Sequence, residues 1–289
     1  LQWEKLPFPT TDNISGFCFV DAKLGFAVTA VGDVFKTADG GKVFQKLGIM
    51  EDRKPRNVTF LSDEIGFVYG RQGLLLRTAD GGASWTKMGV DCSLDLRKMA
   101  FLDKEHGFLV GVIATGAQPN AGIVGTSSDK GLTWKFDTTQ FAGFHQLEIV
   151  KPTHAWITGA DAVMYTTDKG ATWQHNASRG RDTVRAVCFS DIANGWLVGD
   201  HGLLRYSSDG GWSWHDKPKL TERNLTCAAQ PASDVTYIAG DRFIAATVTH
   251  GRKWIIDSLN CPNLLVDCQS VGSEIFIAGS GGTILRLKR

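Results

Sequence analysis

Arginine is the residue in this chain whose type and placement could do chemistry. Arg56, Arg97 and Arg185, with His145 before the last, recur about 40 to 50 residues apart. A guanidinium grips a carboxylate or phosphate through two parallel hydrogen bonds and keeps its charge at every physiological pH. If the four residues share one position in successive units of a repeat, they form a half-ring of positive charge that suits an anion. Arg71 and Arg181 fall in loops expected on the same side, as do Arg53, Lys54, Arg179, Arg223 and Arg242. Asp52, Asp182, Asp200, Glu222 and Asp241 dilute that charge. The alternative is that each arginine pairs with a nearby acid, such as Asp182, or lies solvated.

The elements that must position these side chains are set by a repeat. Thr78-Ala79-Asp80-Gly81-Gly82-Ala83-Ser84-Trp85 reads as a tight turn between strands. The acid caps backbone N–H groups, the glycines take φ > 0, and the tryptophan starts the returning strand as an apolar plug. The same box returns at 127–134, 166–173 and 207–214, and more weakly at 37–44 and 247–254, where Val43 and Phe44 or Thr249 depart from it. A period near 40, with four short strands per unit, points to a β-propeller.

Counting back equally from a reference position in each unit (Thr29, Gly70, Gly111, Gly159, Gly199, Gly240, Gly279) gives Ser15, Arg56, Arg97, His145, Arg185, Thr226 and Leu265. That position opens the first strand of each unit, at the mouth of a central channel. Trp3-Glu4-Lys5-Leu6 matches the outer strand Trp85-Thr86-Lys87-Met88 but has no box before it. Gly282 to Arg286 matches Gly73 to Arg77 and lacks an outer strand after it. The N-terminal strand should therefore complete the last unit and hide an edge otherwise open to pairing. The expected fold is all-β, one seven-bladed propeller of four-stranded antiparallel blades over residues 1–289. Ala114 to Gly122 is an insertion in the third unit.

Composition narrows the function classes. The net charge of +1 argues against a globally basic nucleic-acid binder. No apolar run approaches the roughly 18 residues of a membrane span. The chain begins at Leu1 rather than Met, as a chain relieved of a leader would, so an extracytoplasmic location is expected. The six cysteines read as buried strand residues at Cys18, Cys188 and Cys268, with Cys227 and Cys261 as the pair to test for a disulfide. No spacing suggests zinc, and no cofactor is expected. The Asn-x-Ser/Thr sequences at Asn13, Asn57, Asn176 and Asn224 read as chance, since two open first strands. Gly279 to Gly282 lacks the helix that a phosphate loop needs.

Two stretches carry a resemblance. Phe101-Leu102-Asp103 followed by Gly107-Phe108-Leu109-Val110-Gly111, and Gly73 through Trp85, resemble the photosystem II stability/assembly factor family within the Asp-box propellers. The resemblance implies a non-enzymatic, exported, seven-bladed protein with an arginine-rich patch that binds a membrane-protein partner. The boxes themselves are shared with sialidases, sortilin-like receptors and xyloglucanases, so they speak for fold more than for function.

An enzyme of the Asp-box kind would need a tyrosine nucleophile with acid partners beside its arginines. Tyr69, Tyr165, Tyr206 and Tyr237 all fall in second or third strands, at positions the repeat assigns to blade packing. Glu148 stands alone at a first-strand position held elsewhere by Cys, Thr or Ala, and one carboxylate does not make a glycosidase. The expected function is a binding or assembly scaffold, a monomer that docks an anionic segment of a protein partner on Arg56, Arg97, His145, Arg185, Arg71 and Arg181. A glycan-active or glycan-binding protein is the alternative.

Overall fold

The computed structural model describes residues 2–49, 55–115, 120–160, 162–176, 182–257, 263–272 and 274–288. Its strands form seven four-stranded antiparallel sheets, the blades of a seven-bladed β-propeller. The chain divides into two compact units, residues 1–96 with 257–289, and residues 97–256. Among the described residues no helix is long and apolar enough to cross a membrane.

The first unit holds three blades. Blade 1 runs Ile14–Phe19, Gly25–Thr29, Asp33–Thr37 and Gln45–Ile49, and blade 2 runs Pro55–Phe60, Gly66–Gly70, Leu75–Thr78 and Thr86–Lys87. Blade 7 runs Leu265–Val271, Glu274–Gly279 and Thr283–Lys288, and takes Glu4–Lys5 as its fourth strand. Glu4 pairs with Arg286 and Lys5 with Leu285, and the Leu6 N–H donates to the Ile284 carbonyl at 2.9 Å. The expected borrowing of the N-terminal strand is therefore present. Leu6 is 1% exposed and packs with Phe44 and Ile284 in one cluster, which ties the borrowed strand into the apolar interior.

The second unit holds blades 3 to 6. Their second strands, Gly107–Ile113, His154–Gly159, Gly195–Gly199 and Val235–Gly240, are almost wholly buried. These segments read as continuous apolar runs because both faces of each blade are covered by neighbours. In blade 3 the insertion lengthens the hairpin between the second strand and Ala121–Ser127, and the outer strand Lys135–Ala142 grows with it.

The turn boxes share one geometry. In blade 2 the Thr78 hydroxyl donates to Asp80 Oδ1 at 2.7 Å and accepts from the Gly82 N–H at 2.9 Å. The Ser84 N–H donates to Oδ1 at 2.9 Å and its hydroxyl to Oδ2 at 2.6 Å. The boxes of blades 3, 4 and 5 repeat these contacts around Asp129, Asp168 and Asp209. In blade 6 the Thr249 hydroxyl replaces the carboxylate and accepts from the Lys253 N–H at 2.9 Å. The second glycine has a packing reason as well as a conformational one. A Cβ on Gly211 would sit 2.4 Å from the Trp156 ring of the preceding blade, and one on Gly251 would sit 2.3 Å from Trp196.

Candidate functional site

The position picked out by the arginines is a β-bulge. The pairing of first and second strands slips by one residue between Ile14 and Gly16, Pro55 and Asn57, Phe144 and Gln146, Val184 and Ala186, and Leu225 and Cys227. A bulge re-aims the extra side chain away from the regular alternation. The bulged residues are Ser15, Arg56, His145, Arg185 and Thr226, each half-buried after a buried anchor. Arg97 follows the buried Leu96 in the same way. Equal counting misplaces the last member. In blade 7 the slip lies between Leu265 and Asp267, so Val266 is the bulged residue and Leu265 the buried anchor. Blades 4 and 6 have equally tight first hairpins, Lys151 pairing His154 and Ala232 pairing Val235, but carry a second slip near the hairpin that blade 7 lacks.

What the bulged residue does depends on its length. The Ser15 hydroxyl donates back to the Val28 carbonyl at 3.3 Å, and Thr226 to Ala239 at 3.4 Å, so the short side chains stay on their own blade. The longer ones bind other side chains, on the next blade for Arg56 and on its own blade for Arg185. In the first unit, Arg56 donates from Nε to Asp95 Oδ1 at 2.6 Å and from Nη2 to Oδ2 at 2.7 Å. Arg71 lies exposed in the turn between second and third strands of blade 2, beside Gln72 and Gly73, both at positive φ.

In the second unit, Arg97 Nη1 donates to His145 Nδ1 at 2.6 Å. A guanidinium cannot accept, so Nδ1 must offer its lone pair and the ring proton belongs on Nε2. Arg185 binds Asp200 through Nε at 2.8 Å and Nη2 at 3.0 Å. Burial pushes the Asp200 carboxyl up, but the hydrogen bonds and charge of Arg185, with His201 and Thr183, outweigh it and leave the pKa lowered. Asp182 does not serve Arg185. It sits 2.9 Å from His201 Nδ1.

The expected half-ring is therefore two paired arginines and one arginine–histidine contact. Arg56 and Arg185 have acid partners, as the alternative reading held, though the acids are Asp95 and Asp200. Sequence reasoning passed over Asp95 and treated Asp200 as a general diluent, because bidentate pairing depends on side-chain direction and not on spacing. Arg181 lies outside the described residues, as do Arg53, Lys54 and Arg179. Arg223 donates to the Arg242 carbonyl at 2.6 Å, and Arg242 lies 3.3 Å from Asp241.

The tyrosines occupy blade interiors. Tyr69 is fully buried with its hydroxyl 3.0 Å from Thr59, Tyr237 is buried, Tyr165 donates to Gln174 and Tyr206 to Asn194, each at 2.5 Å. Glu148 lies near the buried Cys188, whose thiol is pushed well up, first by burial and then by that carboxylate. Cys227 carries a free thiol, and its suggested partner Cys261 lies outside the described residues. No group of three or more His, Cys, Asp or Glu able to hold a metal occurs among the described residues.

The family described as photosynthesis system II assembly factor YCF48 matches residues 1–95. The chain resembles the YCF48 assembly factors. A solved structure titled "YCF48 bound to D1 peptide" superposes with a TM-score of 0.78 at 21% identity, covering 99% of this chain and 97% of that one. YCF48 from Cyanidioschyzon merolae gives 0.80 at 18% identity, covering 100% and 99%. An ancestral GH74 enzyme gives 0.79 at 12% identity, covering 99% of this chain and 46% of that chain. At these identities the superpositions speak for the fold alone. No curated protein matches the chain.

Proposed function

We propose that this chain is a non-enzymatic, extracytoplasmic binding scaffold for assembly of a membrane-protein complex, and that it receives a carboxylate-bearing segment of a protein partner where its first strands begin. The observation that carries the reading is the bulge, which turns Arg56, His145 and Arg185 out of the regular alternation of their strands, with Arg97 half-buried after a buried anchor in the same way. The assembly-factor match over residues 1–95, and a similar propeller solved with a D1 peptide, support a protein partner.

The chemistry suits a carboxylate. In the second unit, Arg97 donates to His145, and Asp200 is bound through Nε and Nη2 of Arg185. In the first unit, Arg56 binds Asp95 through the same two nitrogens, and the exposed Arg71 adds charge. A charge-assisted contact made in full contributes roughly 1.5–3 kcal/mol, against about 0–1 for a solvated rim charge.

Titration of the D1 peptide of the solved complex, and of an unrelated acidic peptide, tests this. Binding should weaken as salt is raised. It should be lost when Arg56, Arg97 and Arg185 are together changed to Ala in a protein that keeps its melting temperature. Parent-like affinity in that triple variant would overturn the proposal.

A further inference from the structure

The second unit carries a cleft that the bulge arginines do not touch. It has a volume of about 340 Å³ and lies where blades 4 and 5 meet at their turn boxes. Strand direction puts the boxes and first hairpins at the opposite strand ends from the bulges, so this is a different face. Lys151 and His154 come from the first hairpin of blade 4, Ile192 from that of blade 5, Tyr165 from a third strand, and Trp212 from the blade 5 box.

Trp212 is the unusual residue. Its box position is Ala83 in blade 2, Leu132 in blade 3 and Ala171 in blade 4, so the turn itself asks for no indole. The packing tryptophan of this box is Trp214, edge-on to Trp156 with centroids 6.0 Å apart. Trp212 instead stays 62% exposed, over Tyr165 at 5.0 Å, and Ile192 across the cleft is 60% exposed. Asn176 Nδ2 donates to the Gly211 carbonyl at 2.7 Å and to that of Trp212 at 3.3 Å, so the backbone under the indole is fixed. A large apolar surface held in water at a cleft is the mark of a contact site.

Lys151 brings the cleft an ammonium, and Asp209 a carboxylate held within its own turn box. Lys151 has no ion-pair partner among the described residues. His154 is held below the usual imidazole range by burial and by Lys151, so it is neutral near pH 7 and adds no second cation. Asp209 spends both oxygens on Ser207 and Ser213.

We propose that this cleft is a second docking site, which takes an extended partner segment with an aromatic or large apolar side chain next to an acid. The apolar group seats against Trp212 and Ile192, and the carboxylate meets the Lys151 ammonium. One ammonium matches one carboxylate, and the volume admits one large side chain with its neighbour. A scaffold with two such faces can hold two segments at once, which raises overall affinity without new contacts.

Fluorescence anisotropy of a labelled hexapeptide, Ser-Gly-Phe-Asp-Gly-Ser capped at both ends, reads the site directly. The full chain should bind it saturably, and at least tenfold more tightly than the Phe-Asn counterpart. Trp212→Ala gives the box the residue that blades 2 and 4 already carry, so the fold should persist and affinity fall at least tenfold. Lys151→Met should erase the preference for Asp over Asn. Combined Arg97→Ala and Arg185→Ala should leave this binding unchanged, which separates it from the arginine face. Equal affinity for the two peptides, parent-like binding by the Trp212 variant, no saturation at millimolar peptide, or displacement of the peptide by a xyloglucan oligosaccharide would each overturn the proposal.

Discussion

Arg185 holds both carboxylate oxygens of Asp200, at 2.8 and 3.0 Å, and the pair is part-exposed, with side chains 38% and 16% accessible. Asp200 is thus a resident competitor for any carboxylate offered to Arg185. Asp200→Asn keeps the shape and removes the charge, so an acidic segment should bind several-fold more tightly to this variant, with a steeper salt dependence. Isothermal titration with the acidic peptide checks this. Unchanged affinity together with a lower melting temperature would assign Arg185 to the fold alone.

The turn boxes make a prediction about pH. Asp80, Asp129 and Asp168 are lowered from 3.8 to about 2, chiefly by the hydroxyls of Ser84, Thr133 and Thr172, then by the N–H groups of the same residues. The unfolded chain binds these protons at higher pH than the folded chain does. The stabilisation is therefore present above about pH 4 and is lost as pH falls towards 2. Thermal melts between pH 5 and 2 should show a steep fall, and Asp80→Asn should flatten it while lowering the melting temperature at pH 7. A slope identical to that of the parent would remove the boxes as its cause.

Much of the fold was legible in the sequence because its cause is local. A box such as Thr78 to Trp85 closes on its own hydrogen bonds, and each blade repeats it, so blade number and the borrowed strand at Glu4–Lys5 followed from counting. The candidate site was legible only as a position. That Arg56, His145 and Arg185 share a bulge was readable as a shared offset, whereas the Leu265 slip was not, since the loss of a second slip near the hairpin shifts register without altering the pattern around it. Pairing of Arg56 with Asp95 and Arg185 with Asp200 depends on rotamers and crosses between strands, which spacing does not encode. Trp212 was read as part of a box, and its exposure beside Lys151 needed coordinates.

The glycines of the boxes separate conformational from packing demands. Gly211 has φ of +88°, and a Cβ there would lie 2.4 and 2.5 Å from two ring atoms of Trp156, which is 4% exposed. Gly211→Ala combines left-handed backbone strain with overpacking and should cost roughly 2–5 kcal/mol. Gly89 has nothing within 4 Å of the same atom and serves as control. Chemical denaturation should place Gly89→Ala near the parent and Gly211→Ala far below it. Similar stabilities would show that the ring yields.

The borrowed strand makes the last prediction. Only Glu4–Lys5 pair in register with blade 7, so two residues of ladder hold little by themselves. Around them, Arg286 donates to Glu4 Oε2 from Nη2 at 2.7 Å and to the Gly40 carbonyl from Nη1 at 2.9 Å, tying the strand to the blade 1 box. Leu6, 1% exposed, supplies the apolar anchor, with its Cδ1 in the space that a Cβ on Gly41 would take. Burial of that leucine outweighs the exposed Glu4 pair, since truncating a buried Leu costs about 2–5 kcal/mol and a part-exposed ion pair contributes about 1 or less. Leu6→Ala should therefore destabilise far more than Glu4→Gln. Deleting residues 1–8 should do more than either, because it also bares the Thr283–Lys288 edge and invites association. Denaturation and light scattering of the three variants check the order, and a deletion variant that melts like the parent and stays dispersed would refute closure by this strand.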